Sequence, residues 1–228
     1  MKYIKISILL QLKRDYDKFE TLQMISTNIN TTLCKSLTTL HYESGFKGYV
    51  FSNLIPADKS VKGYKKDNKY WLEIRVMPKV FDEHFKEFGN NIPKKDFEIL
   101  QYKYTTVDFK EVSKIYSLNP VLIRMDKKNN WIYQNGINEA IKRINTNLRN
   151  KYKEFFGKDI PESCNIGTFS LTNDKPIKIP YKNIHYLTNK FDIDIGKTPF
   201  AQELAFIAIA TGLGEGNSYL GLGFCNAK

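Results

Sequence analysis

The chain has 228 residues, of which 42% are hydrophobic, so it can bury one large core or two small ones and is not a disordered tail. Lysine and arginine number 35 against 24 aspartate and glutamate residues, which gives a formal net charge of +11. This excess favours a polyanionic partner. An equal alternative is that the basic surface only maintains solubility. The cysteines, Cys34, Cys164 and Cys225, are odd in number and far apart, so we expect no zinc site, disulfide framework or cofactor.

The first predicted element is a strand at residues 3–12. Ile4, Ile6 and Ile8 alternate with polar residues, and a period of two suits a strand with one buried face. The apolar run is too short to span a bilayer and lacks a small-residue cleavage site. We therefore expect a cytoplasmic protein.

The rest of the first half continues with a helix. Asp17 and Glu20 resemble a capping box, and apolar residues then recur at spacings of three and four from residue 22 to residue 37. Strands are predicted at 48–54 and 70–77. Pro78 opens a short helix, and a β-rich stretch follows at about 97–109. The order strand, helix, strand, strand, helix, strand is that of a ferredoxin-like unit.

The second half reads as a looser copy of the first. It has predicted strands at 121–125, 166–171 and 177–181, with a helix at about 137–155 after the first of them. A last helix begins with Thr198 as N-cap and Pro199 and ends at Gly212, and a strand at about 221–225 closes the unit.

The whole pattern predicts an α+β fold of two tandem ferredoxin-like (RRM-like, βαββαβ) domains. The boundary lies in the aperiodic stretch 111–119, which gives an N-terminal domain of residues 1–113 and a C-terminal domain of residues 114–228. The N-terminal domain is expected to carry the catalytic residues, and the C-terminal domain a glycine-rich loop.

That glycine-rich loop is the most unusual stretch of the sequence. It holds five of the 13 glycines: Gly212, Gly214, Gly216, Gly221 and Gly223. Glycine permits positive φ and close backbone approach, so the loop offers amides to phosphates or packs tightly on a neighbouring surface. A dinucleotide-binding loop is excluded, because here a helix precedes the glycines and a strand follows them. A plain glycine-rich turn into an edge strand is the alternative.

The stretch resembles the C-terminal glycine loop of the Cas-six CRISPR endoribonucleases, which mature precursor crRNA. That loop has two Gly-hydrophobic-Gly triplets after the last helix of a second ferredoxin-like domain, and residues 212–214 and 221–223 match them. The family usually has a lysine or arginine between the triplets, whereas residues 215–220 contain neither. The resemblance implies that this loop contacts RNA. Because the cation between the triplets is missing, a role mainly in packing is the alternative. The residues concerned are Gly212, Gly214, Asn217, Ser218, Gly221 and Gly223.

His41 is the catalytic candidate among three histidines. His84 lies among phenylalanines and His185 in a polar turn, so a packing role and a solvated role fit these two. A lone histidine after a helix is more often structural than catalytic. However, His41 followed by residues 45–47 and 51–53 (Gly-Phe-Lys, then Phe-Ser-Asn) resembles the Cas-six stretch that carries the acid/base histidine and an assisting lysine.

The resemblance implies cleavage of RNA without a metal ion, by attack of the ribose 2′-hydroxyl. The products then carry 2′,3′-cyclic phosphate and 5′-hydroxyl ends. His41, with an ordinary pKa of about 6.5, can transfer a proton near neutral pH, and Lys47 can stabilise charge on the phosphoryl oxygens. Some family members use a tyrosine on the first helix; the comparable residue here is Ser26, and Tyr42 or solvent is the alternative base.

Two basic segments form the candidate RNA-binding surface. The helix at 137–155 bears Lys142, Arg143 and Arg149, although a merely solvated face is an equal alternative. The segment 175–182 interleaves basic and aromatic residues, a pattern suited to phosphate contacts and base stacking. Its lysines are Lys175, Lys178 and Lys182.

The main hypothesis is therefore an endoribonuclease that acts on CRISPR repeat RNA in antiviral defence. A multisubunit effector complex and a second copy of the chain are open as further partners. A non-catalytic relative that holds repeat RNA is the competing hypothesis, motivated by Ser26 and the lysine-free loop. A generic RRM protein is weaker, because the strands show no clear aromatic RNP motif.

Overall fold

The computed structural model describes residues 1–35, 45–57, 63–124 and 136–228. Their contacts divide the chain into two compact units: Met1–Asp108 with Ser218–Gly221, and Phe109–Asn217 with Leu222–Lys228. That residues 1–113 and 114–228 act as separate domains stays a prediction. Within the described ranges, no helix combines the length and apolarity needed to cross a bilayer.

The first unit is a four-stranded antiparallel sheet covered by helices. Its elements are β1 (Lys2–Leu12), β2 (Tyr16–Asp17), α1 (Lys18–Lys35), β3 (Tyr49–Phe51), β4 (Gly63–Tyr64), β5 (Lys69–Val76), α2 (Pro78–Val80), a π-helical turn (Phe81–Phe85), α3 (Phe88–Asn91) and β6 (Phe97–Asp108). The strand order β3-β5-β1-β6 is that of a ferredoxin-like unit. As predicted, Ile4, Ile6 and Ile8 all point into the core.

The capping box at the start of α1 is confirmed. The Asp17 carboxylate accepts a hydrogen bond from the Phe19 backbone N–H (2.8 Å), and the Glu20 carboxylate accepts one from the Asp17 N–H (3.1 Å). Two backbone donors at the helix start are thereby satisfied. The apolar stripe of α1 is buried at Leu22 and Ile25, which fixes the orientation of the helix on the sheet.

The second unit repeats this architecture. Its elements are β7 (Lys114–Ser117), α4 (Gly136–Phe156), β8 (Gly167–Leu171), β9 (Ile177–Tyr181), β10 (Ile184–Thr188), β11 (Phe191–Ile195), α5 (Pro199–Thr211), α6 (Asn217–Leu220) and β12 (Cys225–Ala227). The sheet order β12-β7-β11-β8 matches that of the first unit, while β9 and β10 form a separate hairpin. The predicted α+β fold of two tandem ferredoxin-like units is confirmed.

The strand predicted at 121–125 is wrong. Val121 and Leu122 form only isolated bridges, with Asn189 and Glu215. The first strand of the second unit is instead β7, which lies inside the stretch predicted as the boundary. β7 is only four residues long, so its alternation of half-buried and buried residues is too short to stand out in the sequence.

Two other strand predictions in this half need correction. Ile177–Tyr181 belongs to the hairpin, and the sheet strand before the last helix is β11, whose Asp192 and Asp194 give it a composition unusual for a strand. The closing strand is β12 rather than residues 221–225. Gly221 and Gly223 have φ of 62° and 70°, a left-handed conformation that interrupts regular strand pairing.

The predicted ends of the last helix are confirmed. The Thr198 hydroxyl accepts a hydrogen bond from the Ala201 N–H (3.2 Å), and Pro199 occupies the first helical position. Gly212 ends the helix with φ of 88°, and its N–H donates to the Ala208 carbonyl (2.9 Å). The helix therefore delivers the glycine-rich loop at a fixed place in the unit.

Candidate functional site

Of the predicted catalytic residues, His41 and Tyr42 lie outside the described residues, and Lys47 lies two positions before the start of β3. The Lys47 side chain is half-buried. Its neighbour Gly48 has φ of 66°, and the Gly48 carbonyl accepts a hydrogen bond from the Met77 N–H (2.8 Å). The backbone that carries Lys47 is thus fixed to the end of the first sheet.

The Phe-Ser-Asn segment after Lys47 has a clear structural role. Phe51 and Ser52 are buried. The Ser52 N–H donates to the Glu73 carbonyl (2.8 Å), and its hydroxyl accepts from the Glu73 N–H (3.0 Å). The Asn53 amide donates to the Lys18 carbonyl (3.0 Å). This segment ties β3 to β5 and to the first turn of α1, and so gives Lys47 a rigid base.

Ser26 lies on α1 and is only 6% exposed. Its hydroxyl accepts a hydrogen bond from the Asn30 amide (3.4 Å). A buried aliphatic hydroxyl is poorly suited to take a proton from a substrate in solvent. Nothing in this environment supports Ser26 as a base, and its catalytic role stays a prediction.

The glycine-rich loop is largely buried, and its backbone groups bind each other. The Leu213 N–H donates to the Gly223 carbonyl (2.9 Å), and the Gly223 N–H donates to the Pro120 carbonyl (2.8 Å). A Cβ on Gly223 would collide with the Leu213 backbone, and one on Gly214 with the Leu122 carbonyl. These glycines are required for close backbone approach.

Gly221 has a similar packing role within the first unit. A Cβ added to Gly221 would meet the Phe51 carbonyl and ring, so only glycine fits against β3 at this point. Asn217 is 9% exposed, and its amide donates to the carbonyls of Leu213 (3.0 Å) and Leu222 (2.7 Å). Ser218 is half-exposed. RNA contact by the loop stays a prediction.

Lys151 on α4 is a residue that the sequence reasoning missed. It is 1% exposed, and its ammonium donates to the carbonyls of Gly212 (2.8 Å) and Gly214 (3.1 Å) and to the Asn217 side-chain oxygen (2.8 Å). Burial lowers the pKa of Lys151 to about 7, against the opposing influence of Cys225 and Glu215. The cation that the loop lacks in sequence is therefore supplied by a helix.

A sequence signal for Lys151 does exist. The residue comes three positions after Leu148 and seven after Ile144, both of which lie in the apolar stripe of α4. A lysine on the buried face of an amphipathic helix is rare unless its charge has a partner. That position predicts a buried acceptor cluster, although it cannot say which segment supplies the acceptors.

The basic residues of α4 are partly engaged by main-chain carbonyls. Two guanidinium nitrogens of Arg143 donate to the Arg124 carbonyl (3.2 and 3.1 Å). Arg149 donates to the carbonyls of Glu162 (3.2 Å) and Cys164 (3.0 Å). These arginines anchor neighbouring loops. Lys142 is exposed to solvent on the same helix.

The hairpin of β9 and β10 presents the other predicted basic segment. Lys178 is exposed on β9, Lys182 is exposed in the two-residue loop, and Lys175 is exposed before the hairpin. The rings of Tyr181 and Tyr186 stack with centroids 5.9 Å apart, and the Lys182 ammonium lies 5.4 Å from the centroid of Tyr181. Strand alternation places Lys178 on the face opposite the tyrosines.

Solved structures share the fold over the full length, whereas no protein-family model and no curated protein matches the sequence. A structure described as the CRISPR-associated protein Cas6 has a TM-score of 0.73 at 17% identity, with 99% of each chain covered. A structure described as a RAMP protein binding different RNA substrates has a TM-score of 0.72 at 16% identity, and the match again covers 99% of each chain. A Cas6-related protein from Pyrococcus furiosus has a TM-score of 0.62 at 19% identity, and the match covers 99% of this chain and 98% of the Pyrococcus chain. The resemblance to the Cas-six family is thus confirmed in three dimensions: the chain has the tandem ferredoxin-like fold of the Cas6 structures.

Proposed function

We propose that this chain is a Cas6-type endoribonuclease that cleaves CRISPR repeat RNA without a metal ion. The observation that carries the proposal is the full-length likeness to Cas6 structures, which extends to one described as a product complex (TM-score 0.64, 10% identity, 100% of both chains). The His41–Lys47 motif and the glycine-rich loop occupy the corresponding parts of the sequence. The His41–Lys47 motif supports the enzyme over a binding protein, whereas the glycine-rich loop is compatible with both.

In the proposed mechanism the substrate supplies its own nucleophile, the ribose 2′-hydroxyl, so proximity is built into the RNA. His41 transfers protons at the 2′-hydroxyl or at the departing 5′-oxygen, and Lys47 stabilises the charge on the phosphoryl oxygens. The attachment of the segment after Lys47 to β5 and α1 supports such a role, because charge stabilisation requires a cation that is already in position.

A protein that holds repeat RNA without cutting it is the second candidate. The burial of Ser26 favours it, because the first helix offers no exposed phenol at the position where some Cas-six enzymes have a tyrosine. The likeness to a structure described as a RAMP protein binding different RNA substrates is equally compatible with binding alone. Only a cleavage assay separates the two candidates.

The decisive assay incubates the protein with a repeat-containing transcript in excess EDTA. We expect one cut in each repeat, with 2′,3′-cyclic phosphate and 5′-hydroxyl ends identified by mass spectrometry. The control is the same RNA with a single 2′-deoxy nucleotide before the mapped cut, which should stay intact because the nucleophile is missing. A mobility shift without any cut would favour the RNA-holding candidate.

We further infer that the hairpin lysines contact RNA phosphates. Changing Lys175, Lys178 and Lys182 together to glutamine should weaken RNA binding about tenfold at 0.1 M salt and make the slope of log K against log salt shallower by about 2. The matched control replaces three other exposed lysines of the second unit, Lys110, Lys158 and Lys197, by glutamine, so that both variants lose the same positive charge. Equal losses in both variants would refute specific contacts by the hairpin.

A further inference from the structure

Three pairs of adjacent basic residues, far apart in the sequence, meet at one end of the first unit. They are Lys13–Arg14, Lys65–Lys66 and Lys94–Lys95, and we call this surface the basic end. The Lys13 N–H donates to the Asp96 carbonyl (3.0 Å), and its ammonium donates to the Lys94 carbonyl (2.7 Å). The Asp67 N–H donates to the Leu12 carbonyl (2.8 Å). Sheet register therefore brings the three pairs together.

Two carboxylates are used to build this surface. Asp15 accepts hydrogen bonds from the Lys65 ammonium (2.8 Å) and the Lys66 N–H (2.8 Å), which hold its pKa below the ordinary value. Asp96 accepts from the Tyr16 hydroxyl (2.6 Å) and the Asn28 amide (3.1 Å). Both acids thus fix the loops that carry the cations.

Arg14 is the most firmly positioned cation of the basic end. Its Nε donates to the hydroxyl of buried Tyr16 (2.8 Å), and its guanidinium carbon lies 4.5 Å from the centre of that ring. Burial and the hydrogen bond to Asp96 raise the pKa of Tyr16 to about 12, so the phenol stays neutral near pH 7. The Arg14 side chain is nevertheless 69% exposed.

A surface cleft lies beside this arginine. Its volume is about 360 Å³, and its lining includes the cations of Arg14 and Lys95, the carboxylates of Glu20 and Asp96, and the polar side chains of Gln23 and Thr27. Within the described residues, Lys66, Lys94 and Lys95 are exposed and have no carboxylate within ion-pair distance. The six cations lie with four carboxylates, those of Asp15, Glu20, Asp67 and Asp96, which leaves a formal charge of +2.

We propose that the basic end binds a second stretch of RNA backbone phosphates, apart from the Lys47 site. Exposed lysines around an oriented arginine suit phosphate oxygens, whereas the cores of protein interfaces are poor in lysine. The proposal rests on the proposed function, since it extends the footprint of the same RNA.

The two sites lie at opposite ends of β1. β3, which follows Lys47, pairs with β5 at the level of Ile4, whereas Lys13 directly follows the end of β1. Lys13 comes nine positions after Ile4 in extended chain, a distance of roughly 30 Å. An RNA must therefore extend well beyond the cleaved phosphate to reach the basic end, so its contribution should depend on RNA length.

The test changes Lys66, Lys94 and Lys95 together to glutamine, and the matched control again replaces Lys110, Lys158 and Lys197. The basic-end variant should bind full repeat RNA at least tenfold more weakly, with a salt slope shallower by about 2, while the control variant should lose clearly less of both. An RNA of about six nucleotides around the cut should be bound and cleaved by the variant as by the wild type.

Each result decides the proposal. Affinity and salt slope equal to those of the control variant would overturn it, even if cleavage of repeat RNA by the wild type established the proposed function. The binding titration is repeated with a 20-nucleotide uridine RNA, which contains no repeat sequence. This RNA tests the basic end even if the protein does not cleave repeat RNA. A selective loss of uridine binding then supports the phosphate site, and no selective loss refutes it.

Discussion

Changing His41 to alanine is expected to lower the single-turnover rate of repeat-RNA cleavage by about 10²–10⁴-fold and to leave the dissociation constant nearly unchanged. The rate should fall because the proposed proton shuttle is lost, while the residues proposed to contact phosphates lie elsewhere in the chain. The measurement is a quenched time course at saturating protein, combined with a binding titration of a 2′-deoxy RNA that cannot be cut.

The matched control is His185, an exposed histidine on the hairpin strand β10. Changing His185 to alanine should leave the cleavage rate within about twofold of the wild type. The pH profile gives a second measurement: a limb of the wild-type rate with an apparent pKa near 6.5 should vanish in the His41 variant and persist in the His185 variant. Wild-type cleavage by His41→Ala would remove this residue from the mechanism.

Periodicity predicted the first unit well because its elements are long. β1 spans eleven residues and α1 eighteen, so a period of two and a period of 3.6 are both evident. The second unit has a four-residue first strand, an acidic strand at Phe191–Ile195 and an inserted hairpin. In that half, strand pairing depends on tertiary contacts that local composition does not reveal.

Only part of the candidate site could be predicted from the sequence. The motif of Lys47 and the Phe-Ser-Asn segment can be read directly. The hydrogen bond from the Asn53 amide to the Lys18 carbonyl could not be predicted, because it joins residues 35 positions apart. The convergence of Lys13, Lys65 and Lys94 likewise requires the sheet register. Sequence patterns identify residue types with suitable chemistry, whereas the fold decides which of them share a surface.

The glycine-rich loop illustrates the difference most clearly. The absence of a lysine between its glycine triplets suggested a loop without a cation, yet Lys151 contacts Gly212 and Gly214 from a helix some 60 residues away. The carbonyls of Gly212 and Gly214 converge on this ammonium, and the amides of Leu213 and Gly223 bond within the second unit. The loop is thus organised around a buried charge.

Changing Lys151 to methionine is expected to lower the free energy of unfolding by about 2–4 kcal/mol. The substitution preserves apolar volume but leaves the carbonyls of Gly212 and Gly214 and the Asn217 oxygen without a donor, at about 1–3 kcal/mol for each unsatisfied group. Part of this loss is offset because the buried charge disappears. Urea unfolding at pH 7, with an unchanged m-value, measures the effect, and Lys142→Met on the exposed side of α4 is the control.

The same residue should make stability depend on pH. The pKa of Lys151 is about 7 in the fold and 10.5 in the unfolded chain, so between these values the unfolded chain binds more protons and the free energy of unfolding rises with pH. Between pH 7 and pH 9 the wild type should gain stability relative to Lys151→Met by up to about 1.4 kcal/mol per pH unit, while Lys142→Met should follow the wild type. Parallel curves for wild type and Lys151→Met would show instead that the three acceptors keep the ammonium charged throughout this range.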